Sequence, residues 1–319
     1  MQFHLNYIPT VSAEKITHQK QVLFIGSCFS ENMYQKLEDL HFNTESNPFG
    51  IVFNPASIAE SILRFINKTY FTEKELFEKN GYWYCLDTHT SVYAETKTDL
   101  LTLLNQTIDD WHLKLKTADW LVLTFGSAYA YKHREQNKFV ANCHKLPQQL
   151  FNKELLETSD IVEEYKTILK KLVDFNSTLK VLFTISPVKH LRDGLVENTL
   201  SKSVLIQAVH KLCQSNNQLF YFPAYELVTD DLRDYRFYKQ DMAHPNELAI
   251  EYVWQKFTDT FFNSETIILN KQISEIQLAL QHRPLQPNSE SFLAFKNTTH
   301  SKANVLMQNY PWLKFKLGN

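Results

Sequence analysis

Two short segments of the chain combine residue types that nucleophilic catalysis uses. The first is Gly26-Ser27-Cys28, which follows an apolar run and precedes a helical pattern. A hydroxyl or thiol in such a strand-to-helix turn gains from the positive end of the helix dipole and from free N–H groups that hold an oxyanion. The structural interpretation is that Ser27 caps the helix and Cys28 is a small buried side chain.

The second segment, Asp241-Met242-Ala243-His244-Pro245, contains a base and an acid partner for it. Proline suits the first position of a helix, which places His244 in the loop just before the last helix of the pattern described below. Asp241, three residues earlier, is then able to accept a hydrogen bond from the imidazole and to stabilise its charged form. Together the two segments predict a nucleophile–His–Asp triad.

Apolar runs that alternate with helical patterns predict the fold that positions these residues. The runs are almost continuously hydrophobic, as expected of parallel strands covered on both faces. We therefore predict an α/β fold with a three-layer, doubly wound, mainly parallel sheet of the flavodoxin-like type. The predicted strands are Gln21–Gly26, His41–Asn47, Trp120–Gly126, Lys180–Pro187 and Gln218–Pro223. The predicted helices are Glu31–Leu40, Pro55–Ile66, Thr98–Leu115, Lys153–Phe175, Glu197–Gln214 and Glu247–Phe262.

Two further segments stand outside this alternation. Tyr82–Ala94 predicts a β-hairpin inserted between two units, and Ser264–Gln281 predicts an amphipathic helix that precedes a polar remainder. We predict a catalytic domain over residues 1–264 and a helical C-terminal extension over residues 265–319, which packs on the domain or binds a partner.

Composition and charge narrow the class of protein. The formal charge is −2 and no basic run is interleaved with aromatic residues, which argues against nucleic acid as a partner. The sequence shows neither a signal peptide nor the ~18 apolar residues that cross a bilayer, so no membrane partner is expected. The four cysteines are scattered and suit reduced thiols in a cytoplasmic protein. P-loop, GxGxxG and HExxH patterns are absent, so no cofactor and no metal are expected.

Several segments resemble one known family. GSCFS at Gly26–Ser30 is similar to the signature of the GSCFA family of the SGNH (GDSL-like) hydrolase superfamily, and DMAHP at Asp241–Pro245 resembles the superfamily's Asp-x-x-His block. Other similar segments are NPFGIVFNP (Asn47–Pro55), ANCHKLP (Ala141–Pro147), SPVKHLRDGLVENTLSK (Ser186–Lys202) and FPAYELVTDDLRDYRFY (Phe222–Tyr238). The resemblance covers roughly residues 1–262. It implies an SGNH-hydrolase fold, Asp241 and His244 as acid and base, and Gly50 as a donor to the oxyanion.

The sequence departs from the superfamily at two places. The third strand ends in Gly126-Ser127-Ala128-Tyr129, without the usual asparagine two residues after the glycine, and Asn142 is a candidate replacement for that oxyanion donor. The signature Gly-Asp-Ser-Leu, aligned without gaps, puts Cys28 at the nucleophile position, whereas a shift of one residue selects Ser27. We favour Cys28, because a thiol is partly ionised at neutral pH and a helix N-terminus raises that fraction.

Other polar residues are candidates for binding the substrate. His144 lies in a segment similar to the family and either lines the site or caps a turn. Lys189, His190 and Arg192 follow the fourth strand, at the edge where parallel sheets bind ligands, and either hold an anionic group or form a solvated loop.

Three functions remain open at this point. The first is an esterase that attacks an O-acyl ester, carried by a small molecule or a carbohydrate. The second is an acyltransferase that receives its acyl group from a thioester. The third is a catalytically retired domain that binds a ligand or a partner.

Overall fold

A computed structural model describes residues 5–214, 216–283, 285–286 and 288–317. Outside the described residues lie residues 1–4, 215, 284, 287 and 318–319. Residues 1–4 belong to the segment that is expected to lack a signal peptide.

Strands and helices alternate along most of the described chain. The strands are β1 (Gln21–Gly26), β2 (Asn43–Ser46), β3 (Leu76–Lys79), β4 (Tyr82–Cys85), β5 (Trp120–Phe125), β6 (Tyr129–His133), β7 (Lys138–Val140), β8 (Phe151–Leu155), β9 (Lys180–Ile185) and β10 (Leu219–Phe222). The helices are α1 (Cys28–Asp39), α2 (Pro55–Asn67), α3 (Lys97–Thr117), α4 (Thr158–Phe175), α5 (Leu195–Cys213), α6 (Ala224–Glu226), α7 (Glu247–Phe261), α8 (Ser264–Gln281) and α9 (Glu290–Asn309).

The central sheet has five parallel strands in the order β10-β9-β5-β1-β2. Side chains of β1 alternate between two apolar cores: Leu23 and Ile25 face the core that contains α2 to α5, and Val22 and Phe24 face the one that contains α1 and α7. Because both faces are covered, the strands are hydrophobic throughout. The predicted three-layer, doubly wound α/β fold is confirmed.

Two small antiparallel sheets are attached to this frame. β3 and β4 form a hairpin around Asn80-Gly81, so the predicted hairpin over Tyr82–Ala94 begins too late, and Ala94 contributes a single bridge to Trp83. A three-stranded sheet in the order β7-β6-β8 was not predicted. Its strand β8 occupies the start of the predicted helix Lys153–Phe175, where Lys153 pairs with Tyr131 of β6.

The C-terminal helices pack on the domain. Ile273 of α8 and Leu306 of α9 belong to the same apolar core as Phe29 of α1 and Val253 of α7. The division between residues 264 and 265 stays a prediction. Among the described helices, none is both long and apolar enough to cross a membrane.

Gly26 is the residue at which β1 turns toward α1. Its φ is +154°, and an added Cβ would lie 2.4 Å from the carbonyl oxygen of Thr124 on the neighbouring strand β5. Only a residue without a Cβ fits this close approach of two backbones.

We therefore expect Gly26→Ala to lower the free energy of unfolding by at least about 2 kcal/mol, since it adds overpacking to backbone strain. Gly81→Ala is the matched control: its φ is +81° but no atom lies within 4 Å of the added Cβ. Urea unfolding of both variants measures the difference. Equal losses of stability would contradict the proposed clash.

Candidate active site

A cleft opens at the carboxyl edge of the parallel sheet, with a cavity volume of about 490 Å³. This is the edge at which open α/β sheets bind ligands. Both predicted catalytic segments reach it, although more than 200 residues separate them in the chain. The predicted site residues that line it are Ser27, Cys28, Lys189, His190, Arg192, Asp241 and His244.

The turn after β1 is fixed by backbone contacts. The N–H of Gly26 donates to Asn47 Oδ1 at 2.8 Å, and the N–H of Ser27 donates to the carbonyl oxygen of Thr124 at 3.1 Å. Ser27 is the N-cap of α1: its Oγ accepts a hydrogen bond from the N–H of Phe29 at 3.3 Å, and the residue is only 3% exposed. Ser27 thus caps the helix, which is the structural role that the sequence suggested for it.

Cys28 is the first residue of α1 and is half-buried in the cleft. Within the described chain its backbone N–H donates to no backbone carbonyl, as is usual for the first turn of a helix. Burial raises the pKa of the Cys28 thiol, and the nearby carboxylate of Glu31 adds to this effect. The first N–H groups of α1 and the ammonium group of Lys202 act in the opposite direction. The thiol therefore requires a base or a counter-charge to become a nucleophile.

Asp241 and His244 form a hydrogen-bonded pair within one tight loop. Asp241 Oδ2 lies 2.6 Å from His244 Nδ1, and Asp241 Oδ1 accepts the backbone N–H groups of Ala243 and His244 at 2.9 and 3.0 Å. The two N–H groups, and then the imidazole, lower the pKa of Asp241 to about 2. A carboxylate at Nδ1 leaves Nε2 of the same ring to accept a proton, which is the arrangement of a general base.

The loop that carries His244 is tied to the rest of the cleft. The N–H of Lys189, after β9, donates to the carbonyl oxygen of Ala243 at 3.0 Å, and the N–H of Lys239 donates to that of His244 at 2.7 Å. Asn246 caps α7 by accepting the N–H of Ala249 at 3.1 Å. These contacts hold the loop at the sheet edge between β9 and the start of α7.

The basic residues after β9 differ in their environments. The ammonium group of Lys189 lies 4.0 and 4.2 Å from the ring centroids of Tyr235 and Tyr238. His190 packs on Phe53, and burial, with Lys202 nearby, lowers its pKa to about 4, so its ring is neutral at physiological pH. Arg192 is exposed at the cleft wall. The segment thus offers two cations and one neutral imidazole to a ligand.

Three predicted site residues do not line the cleft. Gly50 donates its N–H to the carbonyl oxygen of Asn47 at 2.8 Å, so this donor closes a turn rather than facing an oxyanion. Asn142 donates its N–H to Leu86 and accepts the N–H of His144. His144 is 3% exposed, and its Nε2 contacts the carbonyl oxygens of Cys85 and Thr88 at 2.8 and 3.0 Å. These contacts are structural: they join the β3–β4 hairpin region to the segment after β7.

The structure adds residues that sequence reasoning missed. Tyr129, Tyr131 and Lys153, from the three-stranded sheet, form a wall of the cleft, and Ser127 also lines it. The ammonium group of the buried Lys202 donates to the carbonyl oxygens of Gly126 and Ser186, which follow β5 and β9. Ser127 could have been predicted from its place directly after Gly126. Lys202 lies in a helix, and no local sequence pattern marks it. No group of three or more His, Cys, Asp or Glu side chains in the described ranges is arranged to hold a metal ion.

The doubly wound α/β fold brings a thiol, an imidazole and a carboxylate to one cleft at the edge of the sheet. The chain belongs to the GSCFA family: residues 21–257 match this family, and residues 273–317 match the GSCFA domain protein, C-terminal domain. No curated protein matches the chain significantly.

Solved structures with a similar fold include three proteins of low identity. A carbohydrate esterase of family 3 from Talaromyces cellulolyticus is 8% identical, with a TM-score of 0.38 over 79% of this chain and 98% of the other. A protein from Bacteroides fragilis, provisionally described as an acylhydrolase, is 10% identical, with a TM-score of 0.40 over 83% and 92%. A protein from Streptococcus pneumonia, provisionally described as a platelet activating factor, is 12% identical, with a TM-score of 0.41 over 75% and 83%. At these identities and TM-scores the likeness says nothing about the reaction of this chain.

The hydrogen bonds of Asp241 lead to a prediction about its ionisation. Because the backbone N–H groups are the larger cause of its lowered pKa, we expect His244→Ala to leave the Asp241 pKa below its ordinary value of 3.8. The pKa of Asp241 is lower in the folded protein than in the unfolded chain. The ionised carboxylate therefore stabilises the loop above about pH 4, and this contribution is lost as the pH falls toward about 2. NMR titration of the Asp241 carboxyl carbon measures this. If Asp241 has its ordinary pKa in the variant, the imidazole alone lowers it in the wild-type protein. That result would contradict the role of the two backbone N–H groups.

Proposed function

We propose that this protein is an esterase that cleaves an O-acyl ester with a Cys28–His244–Asp241 triad. The observation that carries the proposal is that the Asp241–His244 pair lines the same cleft as Cys28. Residues far apart in sequence converge there, and each has the chemical type that its role in acyl transfer requires.

The proposed reaction has two steps. His244 Nε2 takes the thiol proton as the sulfur of Cys28 attacks the ester carbonyl carbon, and the N–H of Cys28 in the first turn of α1 donates to the resulting oxyanion. The tetrahedral intermediate collapses, the C–O bond breaks, and the alcohol leaves with the proton from His244. Water, deprotonated by His244, then attacks the thioester and releases the acid and the thiol. Asp241 keeps the imidazole oriented and stabilises its charged form in both steps.

Cys28 is the better nucleophile of the two candidates in this geometry. The hydroxyl of Ser27 is engaged as the helix cap and is almost fully buried, whereas Cys28 is half-buried in the cleft. Ser27 then serves to hold the first turn of α1, on which the oxyanion donor depends. The open cleft also argues against a catalytically retired domain, for which Ser27 and Cys28 would both be sealed from solvent.

The cleft suits a small-molecule or carbohydrate ester as the proposed substrate. Tyr129 and Tyr131 present aromatic rings with polar tips along one wall, and such side chains contact apolar and hydroxylated surfaces alike. Neither nucleic acid nor a membrane is proposed as a partner. The proposed location is cytoplasmic, where the four free cysteines would stay reduced.

One observation favours a second candidate, an acyltransferase. Lys189 and Arg192 line the cleft and form no ion pair with a described acidic residue. Two cations along the cleft that contains the nucleophile would bind a phosphorylated acyl thioester donor, and the acyl group on Cys28 would then pass to an alcohol instead of water.

The nucleophile is tested with matched variants. We expect Cys28→Ala to lower turnover of p-nitrophenyl acetate by more than about 10⁴-fold, to a residual rate, and to remove any acyl adduct found by mass spectrometry. His244→Ala should lower turnover by about 10²- to 10⁴-fold, the usual contribution of a general base. Ser27→Ala, which removes a cap that contributes about 1 kcal/mol, should cost stability but retain the adduct.

An adduct that maps to Ser27 would transfer the nucleophile to that residue. Full turnover by Cys28→Ala, with no adduct on the wild-type chain, would contradict the proposed function.

The basic residues give a separate prediction. If the donor is a phosphorylated thioester, Lys189→Ala combined with Arg192→Ala should raise KM for acetyl-CoA at least about tenfold and leave KM for p-nitrophenyl acetate unchanged, because only the first substrate carries phosphates. Product analysis with an added sugar acceptor separates transfer from hydrolysis. Equal effects on both substrates would contradict a phosphate-binding role.

A further inference from the structure

One ion pair joins two walls of the cleft. The ammonium group of Lys153, on β8, donates to the carboxylate of Asp193, which lies in the segment between β9 and α5. Both residues line the cleft. Because two side chains in direct contact leave no room for a ligand between them, the cleft is closed between the three-stranded sheet and this segment.

The strand register turns Lys153 toward the cleft. Lys153 pairs with Tyr131 of β6, and Tyr129 lies two residues before Tyr131 on the same strand. Since successive side chains of a strand point to opposite faces, these three side chains share one face of the sheet, and all three line the cleft. The ammonium nitrogen of Lys153 lies 4.3 Å from the ring centroid of Tyr129. The tyrosine ring thus supports the lysine on the wall from which it reaches Asp193.

The segment that carries Asp193 is anchored at its base. The N–H of His190 donates to Asn198 Oδ1 of α5 at 2.8 Å, and Leu191–Asp193 then form one short 3₁₀ turn before the helix begins. Among the described residues of this turn, only Asp193 forms a side-chain hydrogen bond or ion pair with another part of the chain. The contact with Lys153 therefore fixes the turn against the opposite wall.

The fold does not depend on this ion pair. The side chains of Lys153 and Asp193 are 30% and 15% exposed, and an ion pair that solvent reaches contributes little to stability. We therefore expect variants of either residue to fold. What they change is the boundary of the cleft, because the two walls are then no longer joined by charge.

We propose that Lys153 and Asp193 are specificity-determining residues: their ion pair bounds the cleft and excludes esters that extend past it. The inference rests on the proposed esterase function, because it concerns the substrates of that site. The closed cleft, with a volume of about 490 Å³, has the size that holds one compact ligand. The substrate class is therefore compact esters rather than long-chain lipid esters.

Alkylation of Cys28 by reagents of two sizes tests the boundary without any catalysis. The full-length chain is treated with N-ethylmaleimide or with the larger N-(1-pyrenyl)maleimide, and mass spectrometry of peptides follows each cysteine. The ratio of the pyrenyl rate to the ethyl rate reports on size, because a change in thiol ionisation affects both reagents alike. We expect Lys153→Ala and Asp193→Ala each to raise this ratio at Cys28 at least about tenfold.

Two controls separate the ion pair from other effects of substitution. Lys153→Glu combined with Asp193→Lys reverses the pair, and it should return the ratio at Cys28 to the wild-type value. Lys114→Ala is the matched control: Lys114 has a side chain that is 29% exposed, pairs with Glu45 at 2.6 Å, and is not among the described residues that line the cleft. It should leave the ratio unchanged.

Ester kinetics then connect the boundary with specificity. For Lys153→Ala and Asp193→Ala, we expect kcat/KM for p-nitrophenyl octanoate relative to that for p-nitrophenyl acetate to rise at least about tenfold, because only the longer acyl chain needs the added room. The reversed pair should restore the wild-type preference for acetate.

The outcomes distinguish the inference from the function on which it rests. An unchanged maleimide ratio at Cys28 in the folded single variants would overturn the inference. An equal rise in Lys114→Ala, or a reversed pair that keeps the high ratio, would also overturn it, because the ion pair would then not be the cause. If the ratio rises but the wild-type chain cleaves no ester, the boundary stands and the esterase proposal fails. If esters are cleaved but octanoate gains nothing over acetate, the role in specificity is refuted.

Discussion

The hydrogen bonds that Asp241 accepts are the constraint on which the site depends. One carboxylate holds two backbone N–H groups and the imidazole of the same loop, so the position of His244 follows from four consecutive residues. A histidine held this way does not rely on tight burial, and its ring is free to remain partly exposed to a ligand. The bond from Lys189 to Ala243 then fixes the whole loop to the sheet edge.

The opposite side of the cleft is built by backbone contact between strands. The close approach of Gly26 to Thr124 fixes the backbone at the end of β1. The next residue, Ser27, is the N-cap of α1. The outcome is that Cys28 presents both its thiol and its N–H at the edge of the sheet. The three-stranded sheet inserted after β5 adds the wall with Tyr129 and Tyr131, which makes a cleft out of an open edge.

The central strands and their flanking helices could be predicted because local sequence patterns indicate them. The run Gln21–Gly26 forms β1 with those bounds, and Ser264–Gln281 forms α8 with those bounds, since continuous apolar runs and 3.6-residue periodicity are read from neighbouring residues. Strand β8 was missed because the segment from Lys153 was assigned to the start of a helix, and only pairing with β6 makes it a strand. Tertiary contacts of this kind leave no trace in a short window of sequence.

The placement of the candidate site residues could be predicted where it depends on local sequence. Asp241 and His244 are three residues apart, so their contact follows from loop geometry, and Cys28 follows from its place after a strand. Gly50, Asn142 and His144 are engaged elsewhere because each makes a backbone contact that depends on the folded hairpin or turn around it. Lys202 lies in a helix with no motif, and its hydrogen bonds to Gly126 and Ser186 exist only once α5 packs against the sheet.

A double-mutant cycle of Cys28 and His244 tests the central claim, that these residues act as one unit, most directly. Turnover of a chromogenic acetate ester is measured for Cys28→Ala, for His244→Ala and for the double variant, all as the full-length chain. If the thiol and the imidazole work on the same proton, the double variant loses no more activity than the more damaging single variant. Losses that multiply would mean that the two residues act independently, and the triad would be contradicted.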